Sequence, residues 1–193
     1  MTPINERRER ILDVAIDLAE KGGFDNVRQR EVAALAGVAL GTLYKSFRSK
    51  EDILVAALDR EAAILEKKLV RTPPRGETRI ERATDFFGAA TRTLLKKPNF
   101  ARAVLRAMAS GEPEIAGNVA AYYGRLSGMV IAALRGTRSL DTDPTEAETT
   151  LAYLLLQVWF ASLVGWSAGI ADPKDIVIQV ARAGELIGKG LGD

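Results

Sequence analysis

NVRQREVAALAGVALGTLYKSFRSK, residues 26–50, is the part of the chain in which the architecture is most directly written. Two short segments with helical apolar spacing, 26–36 and 39–46, flank Gly37-Val38. A Gly-containing turn between short helices sets them near-perpendicular to each other. Asn26 is placed to cap the first helix, because a side-chain oxygen there accepts from an orphan N–H. Val32, Ala33, Ala36, Val38, Leu43 and Phe47 form the inward set that fixes the angle between the two. Gly37 falls where the chain must turn with the least side-chain bulk.

The outward set is Arg28, Gln29, Arg30, Ala39, Leu40, Thr42, Tyr44, Lys45, Arg48 and Lys50. Between residues 28 and 50 there are five basic side chains and one acid, Glu31, a local excess of +4 against +2 for all 193 residues. A phosphate-facing surface requires that distribution. Arg28, Arg30, Tyr44 and Lys50 are suited to donate to phosphate oxygens, and Lys50 does so at a helix start. Thr42 and Lys45 reach base edges or phosphates, while Ala39 and Leu40 offer apolar contact to thymine methyls. A solvated basic helix pair is the bland alternative, and the complete spacing pattern argues against it. The implied motif is a helix-turn-helix, and its implied partner is double-stranded operator DNA.

Outward from this motif the chain reads as helix throughout. A helix over 5–21 carries Ile11, Leu12, Val14, Ala15, Leu18 and Ala19 at helical spacing and stops at Gly22-Gly23. Ser49-Lys50-Glu51-Asp52 reads as a capping box in its Asp variant, opening a long helix over 49–70. RTPPRG, residues 71–76, is the clearest break. Beyond it the spacing predicts helices over 78–97, 99–110, 114–135, 144–168 and 173–189, the last two opened by Asp143-Pro144 and Asp172-Pro173. No period-two pattern survives. The expected fold is all-α with about nine helices: a DNA-binding domain over 1–48, and a ligand-binding and dimerisation body over 49–193, connected by the helix at 49–70.

Cysteine and histidine are both absent. That removes disulfides, thiolate chemistry, Cys/His metal sites and histidine general bases together. No Gly-rich phosphate loop occurs, nothing sets a nucleophile beside a base, and Glu112, Glu114, Glu146 and Glu148 stand where helix caps are expected. Together these features speak against an enzyme, and no cofactor and no metal is expected. MTPINERRERI, residues 1–11, lacks the apolar core of a secretory signal, so a cytoplasmic location is expected. Residues 149–171 are uncharged and long enough to cross a bilayer. Their nearest flanking charges are the acids Glu146, Glu148 and Asp172, and Gln157, Ser162 and Ser167 interrupt them. A helix buried on most sides, with no membrane partner, is the expectation.

The run GGFDNVRQREVAALAGVALGTLYKSFRSKEDIL, residues 22–54, with the pattern G-V-x-x-G-T-L-Y-x-x-F-x-S-K inside it, resembles the N-terminal domain of TetR-type transcriptional regulators. The match covers residues 7–57. The resemblance implies a homodimeric, usually repressing, one-component regulator. Its second and third helices would bind DNA, its fourth would link to a ligand-binding body, and its last two would form the dimer bundle. The family usually has Ser or Thr where Ala39 stands, Lys at Leu40, Tyr at Ser46 and Pro at Arg48. Ala39 therefore lacks a capping hydroxyl and Ser46 an aromatic phosphate contact, and Arg48 compensates electrostatically. Across the whole chain, VALGTLY (38–44), ARAVLRAMASGEPEIAG (101–117) and VWFASLVGWSAG (158–169) resemble the subgroup that represses steroid and cholesterol catabolism. That resemblance implies a large hydrophobic acid, or its CoA thioester, as ligand.

A metabolite-responsive body needs a concave apolar pocket. Phe86, Phe87, Phe100, Val104, Met108, Tyr122, Tyr123, Leu126, Met129, Trp159 and Leu163 are its candidate lining, with plain core as the competing reading. Arg102, Arg106 and Arg125 are candidate anion contacts or solvated faces. Leu155, Ser162, Trp166, Ile176, Val180 and Leu186 are expected at the dimer interface, inner core being the other use of the uncharged helix. The functional alternative is a regulator that answers to a protein partner and has a tightly filled body.

Overall fold

The computed structural model describes residues 3–140 and 143–190, so the outermost limits of the two expected domains lie outside the described residues. Among these residues there are nine α-helices and no strand. They are α1 (Pro3–Gly22), α2 (Gln29–Leu35), α3 (Leu40–Ser46), α4 (Lys50–Arg71), α5 (Arg79–Leu94), α6 (Pro98–Met108), α7 (Ala116–Arg135), α8 (Glu146–Ser167) and α9 (Pro173–Gly190). Single 3-10 turns stand at Phe24–Asn26 and Pro113–Ile115. The chain forms two compact units. One comprises the residues up to Glu61 with Lys96–Tyr122, the other Ala62–Leu95 with the residues from Tyr123 onward. Compactness thus groups the chain differently from a linear head and body, because α4 and α7 each contribute to both units.

In the first unit α1 packs on α2 and α6, and α2 packs on α3. Ile11, Leu12, Ile16, Val32, Leu43 and Phe47 are its buried centre. The turn after α2 closes as expected: Gly37 has φ +66°, and the Val38 N–H donates to Ala33 O at 3.0 Å. Asn26 is a correction. It ends a 3-10 turn, and α2 begins three residues later, with Arg28 as a cap that makes no side-chain bond. Asn26 folds back instead, donating from Nδ2 to Leu18 O at 3.0 Å. It occupies the space beside Gly22, where any Cβ would come within 2.7 Å of it. Ser49 caps α4, its Oγ accepting the Asp52 N–H at 3.1 Å, but the reciprocal half of the box differs. Asp52 Oδ2 accepts from the Arg48 N–H, one residue earlier than the box requires, at 2.9 Å.

In the second unit α9 packs between α5 and α8. The approach to α5 is close at Gly184, where a Cβ would lie 2.9 Å from Ile80 Cγ2. α5 opens with a full capping box, Thr78 with Glu81. α8 opens with another, Thr145 with Glu148, and not with Asp143 as the Asp-Pro pair suggested. Arg135 explains the choice, since its Nε and Nη2 each meet an oxygen of Glu148 at 2.6 Å and hold the box in place. α8 is long and apolar enough to cross a membrane. In this fold one face of it, Leu151, Leu155, Leu156, Trp159, Leu163 and Trp166, is buried. Tyr153, Leu154 and Val164 are exposed, so burial covers one face and not most sides.

Candidate nucleic-acid interface

The helix-turn-helix is built on α2 and α3, and its outward residues differ in exposure. Arg28, Arg30, Lys45 and Arg48 are exposed, Tyr44 is 48% exposed, and Ala39 stands exposed at the start of α3. Leu40, Thr42 and Gln29 are half-buried. Gln29 Nε2 reaches Arg48 O at 3.5 Å, a long contact between the α2 start and the loop after α3. Without a hydroxyl at Ala39, α3 is closed by backbone alone, the Thr42 and Leu43 N–H groups donating to Ala39 O at 2.8 and 3.1 Å. The Ser46 hydroxyl donates to Thr42 O at 3.3 Å within its own helix.

Lys50 is the residue whose placement differs from the free phosphate donor expected. Its Nζ lies 3.9 Å from the Phe24 ring centroid and 3.7 Å from Asp25 Oδ1. Arg106, on α6, shares both partners, with its guanidinium 4.3 Å from the Phe24 centroid and Nη1 2.9 Å from Asp25 Oδ2. The 3-10 turn after α1 is therefore gripped by two cations. One carboxylate and one aromatic ring hold both of them.

Contacts from outside the motif hold it, and no local sequence pattern announces them. Arg10 Nε donates to Ala36 O at 3.3 Å, at the end of α2. The Arg8 guanidinium lies 4.6 Å from the Phe47 centroid, at the end of α3. Glu20, near the end of α1, accepts the Asn99 and Phe100 N–H groups at 3.0 Å each, so α1 supplies the cap that α6 lacks.

The residues expected to line a ligand pocket divide between the two units. Phe100 and Val104 on α6 and Tyr122 on α7 are buried in the first, where Met108 is half-buried. Phe86, Phe87, Leu126, Met129, Trp159 and Leu163 are buried in the second. There Phe86 and Phe87 meet edge to face at 5.0 Å, Phe87 and Trp159 lie 5.7 Å apart, and the Trp159 Nε1–H donates to buried Thr91 Oγ1 at 2.9 Å. Tyr123 is half-buried with its ring 6.5 Å from Phe160, and burial, with Tyr153 nearby, pushes its hydroxyl pKa up. The three candidate anion contacts have protein partners: Arg106 has Asp25, Arg125 has Glu66 at 2.5 Å, and Arg102 has Asn99 at 3.4 Å. A groove of about 780 Å³ runs between α5 and α9 past Ile80, Gly88, Arg92, Val177 and Lys189, and none of the expected ligand residues lines it.

The residues expected at the dimer interface fall into two groups in the single chain. Leu155, Trp166, Ile176 and Val180 are buried within the single chain, on the helices α8 and α9 that pack on each other. Ser162 is half-buried and Leu186 is 72% exposed. The apolar side chains left open on these helices are Tyr153, Leu154, Val164, Ile178 and Leu186.

Residues 11–57 match the family described as "Bacterial regulatory proteins, tetR family". Residues 76–187 match "Tetracyclin repressor-like, C-terminal domain". The protein named HTH-type transcriptional repressor KstR from Mycolicibacterium smegmatis is 34% identical over 182 residues, covering 94% of this chain and 87% of its own. Its namesake from Rhodococcus jostii is 35% identical, covering 97% and 84%. Among solved structures, a TetR transcriptional regulator from Rhodococcus sp. RHA1 is similar with a TM-score of 0.84 and 26% identity over 94% of this chain and 95% of that one. Thermus thermophilus FadR, solved with lauroyl-CoA, shares the fold at 19% identity and a TM-score of 0.72, over 92% of each chain.

Proposed function

We propose that this chain, which belongs to the TetR family of DNA-binding transcriptional regulators, is a homodimeric repressor released from a palindromic operator by a large hydrophobic ligand. The observation that carries the reading is that relatives named as repressors align along nearly the whole chain, body as well as head. The segment 1–48 is the DNA-reading module and 49–193 the responding body, acting in the cytoplasm. Arg28, Arg30, Tyr44 and Arg48 serve phosphates, and Ala39, Leu40, Thr42 and Lys45 face base edges, with Gln29 between the two roles. Lys50 steadies the turn before α2 and offers the DNA its residual exposed surface.

The ligand class follows from the subgroup resemblance, an acyl- or steroid-CoA type metabolite whose apolar part would be received by the aromatic and aliphatic residues of the second unit, Phe86, Phe87, Leu126, Met129, Trp159 and Leu163. FadR's lauroyl-CoA complex shows that a protein of this fold takes such a thioester. Two copies would associate through the open apolar side chains of α8 and α9. Two heads on such a dimer must match half-sites about 34–36 Å apart, or a multiple, in successive major grooves. A ligand preferring another head spacing would lower operator affinity by its own difference in binding free energy. α4, which runs from one compact unit into the other, is the element suited to carry that change.

Selection of bound sequences from random duplex DNA tests the first half of this reading, and a palindrome is expected. Titration of the selected operator complex with a steroid-CoA thioester tests the second. Undiminished operator binding at saturating thioester removes that ligand class, and a non-palindromic selected site removes the symmetric dimer.

A further inference from the structure

We infer that the DNA footprint extends beyond the helix-turn-helix to α1, through Arg8, whose guanidinium meets a backbone phosphate at the flank of each half-site. The inference rests on the DNA-binding activity of the family and on how α1 is docked. Two arginines near its start reach the ends of both motif helices, Arg10 at Ala36 after α2 and Arg8 at Phe47 after α3. Phe47 is 1% exposed while Arg8 is exposed, so the guanidinium lies as a cover on the ring with its other side toward solvent.

Charge pairing along α1 separates Arg8 from an ordinary surface cation. The acids Glu9 and Asp13 face Arg60, whose Nη1 lies 3.1 and 2.8 Å from them. Among the described residues Arg8, Lys45 and Arg48 form no ion pair, and the neighbouring carboxylate, Asp52, takes the Arg48 backbone N–H. All three stand at the end of α3, Arg8 over the Phe47 ring and Lys45 and Arg48 beside Phe47 in sequence, and none is paired with an acid among the described residues. Like charges so placed repel in the free protein and are relieved by a polyanion. A guanidinium laid flat on an aromatic ring is already ordered, and its N–H edge stays open for a phosphate.

Arg8→Met keeps an aliphatic cover over Phe47 and removes the charge, whereas Arg8→Lys keeps the charge. The probe is the operator selected by the wild-type protein together with a mixed-sequence duplex of the same length. Removing one phosphate interaction lowers the slope of log affinity against log salt by about 0.9. The expected result is a slope smaller by that amount per head for Arg8→Met on both duplexes, near-wild-type slope for Arg8→Lys, and an unchanged melting temperature. Ethylation interference on the wild-type complex gives the same answer without a variant, as an interfering phosphate at the flank of each half-site. An unchanged slope in Arg8→Met, or no flanking interference, overturns the inference and leaves Arg8 as a cover for Phe47 only. A wild-type protein that binds neither duplex overturns both this phosphate interaction and the DNA-binding role itself.

Discussion

Asn118, on the first turn of α7, donates from Nδ2 to Oδ1 of Asp52, on the first turn of α4, at 2.5 Å. Asp52 is 7% exposed, and its other oxygen takes the Arg48 N–H at 2.9 Å. A buried carboxylate is tolerated only when its oxygens are satisfied, and here the two partners come from the loop after α3 and from α7. The beginning of α7 is thereby tied to the loop that follows the DNA-reading helix.

Asp52→Ala leaves the part-buried Arg48 N–H without its acceptor and removes the group that Asn118 meets, and a loss of about 1 kcal/mol is expected for a hydrogen bond so removed. Asn118→Ala should lose less, because Asp52 keeps the Arg48 N–H on its other oxygen. Urea unfolding of the three proteins checks the order. Equal midpoints for Asp52→Ala and wild type would contradict it.

Glu148 gives the protein an acid-sensitive clasp. The Arg135 guanidinium first, then the Thr145 N–H, holds its pKa at about 2 from an ordinary 4.5. Because the folded value lies below the unfolded one, its stabilisation is full above pH of about 4.5 and drains away as pH falls toward 2. Wild type and Glu148→Gln should therefore differ most near neutrality and converge across that interval in urea midpoints. Parallel midpoints from neutrality to acid would refute the clasp.

Glu20 caps a helix it does not belong to. Glu20→Ala should lose about 0.5–2 kcal/mol, the usual range for removing an N-terminal cap. Amide exchange should rise first at Asn99 and Phe100, whose N–H groups it accepts. Exchange unchanged at those two amides would show that water replaces the carboxylate without loss.

Leu186→Glu, on the open face of α9, should convert the proposed dimer to monomer by sedimentation while leaving helical circular dichroism intact. Leu155→Glu should instead unfold the chain, since Leu155 is 1% exposed within it. A Leu186→Glu protein that still sediments as a dimer places the interface elsewhere.

The DNA-binding motif is legible in the sequence because its determinants are local. Gly37, Leu43 and Phe47 do their work within one turn and two short helices, so their spacing carries the information. Asn26 and Asp143 mislead for the opposite reason. Each is a good cap in isolation, but Asn26 is drawn back to Leu18, and Arg135 selects Thr145 with Glu148 over Asp143. α8 hides its two-sidedness because it lacks charges on every side over most of its length. Only the positions of α5 and α9 decide that Leu155 and Trp166 face inward while Leu154 and Val164 do not. Lys50 reads as a phosphate donor because Asp25 and Phe24 are the whole length of the motif away in sequence. The ligand residues are legible as apolar, and nothing in their order divides them between two compact units.

Both tryptophans of the chain, Trp159 and Trp166, sit on α8 and are buried, and the Trp159 indole is pinned to Thr91. The DNA-reading helices contain none. The molecule thus carries a natural optical label in the part that would sense a metabolite and is dark in the part that would touch DNA. Its emission is a spectator to operator binding confined to the head and a witness to anything that repacks α5 against α8, which separates the two events in one cuvette.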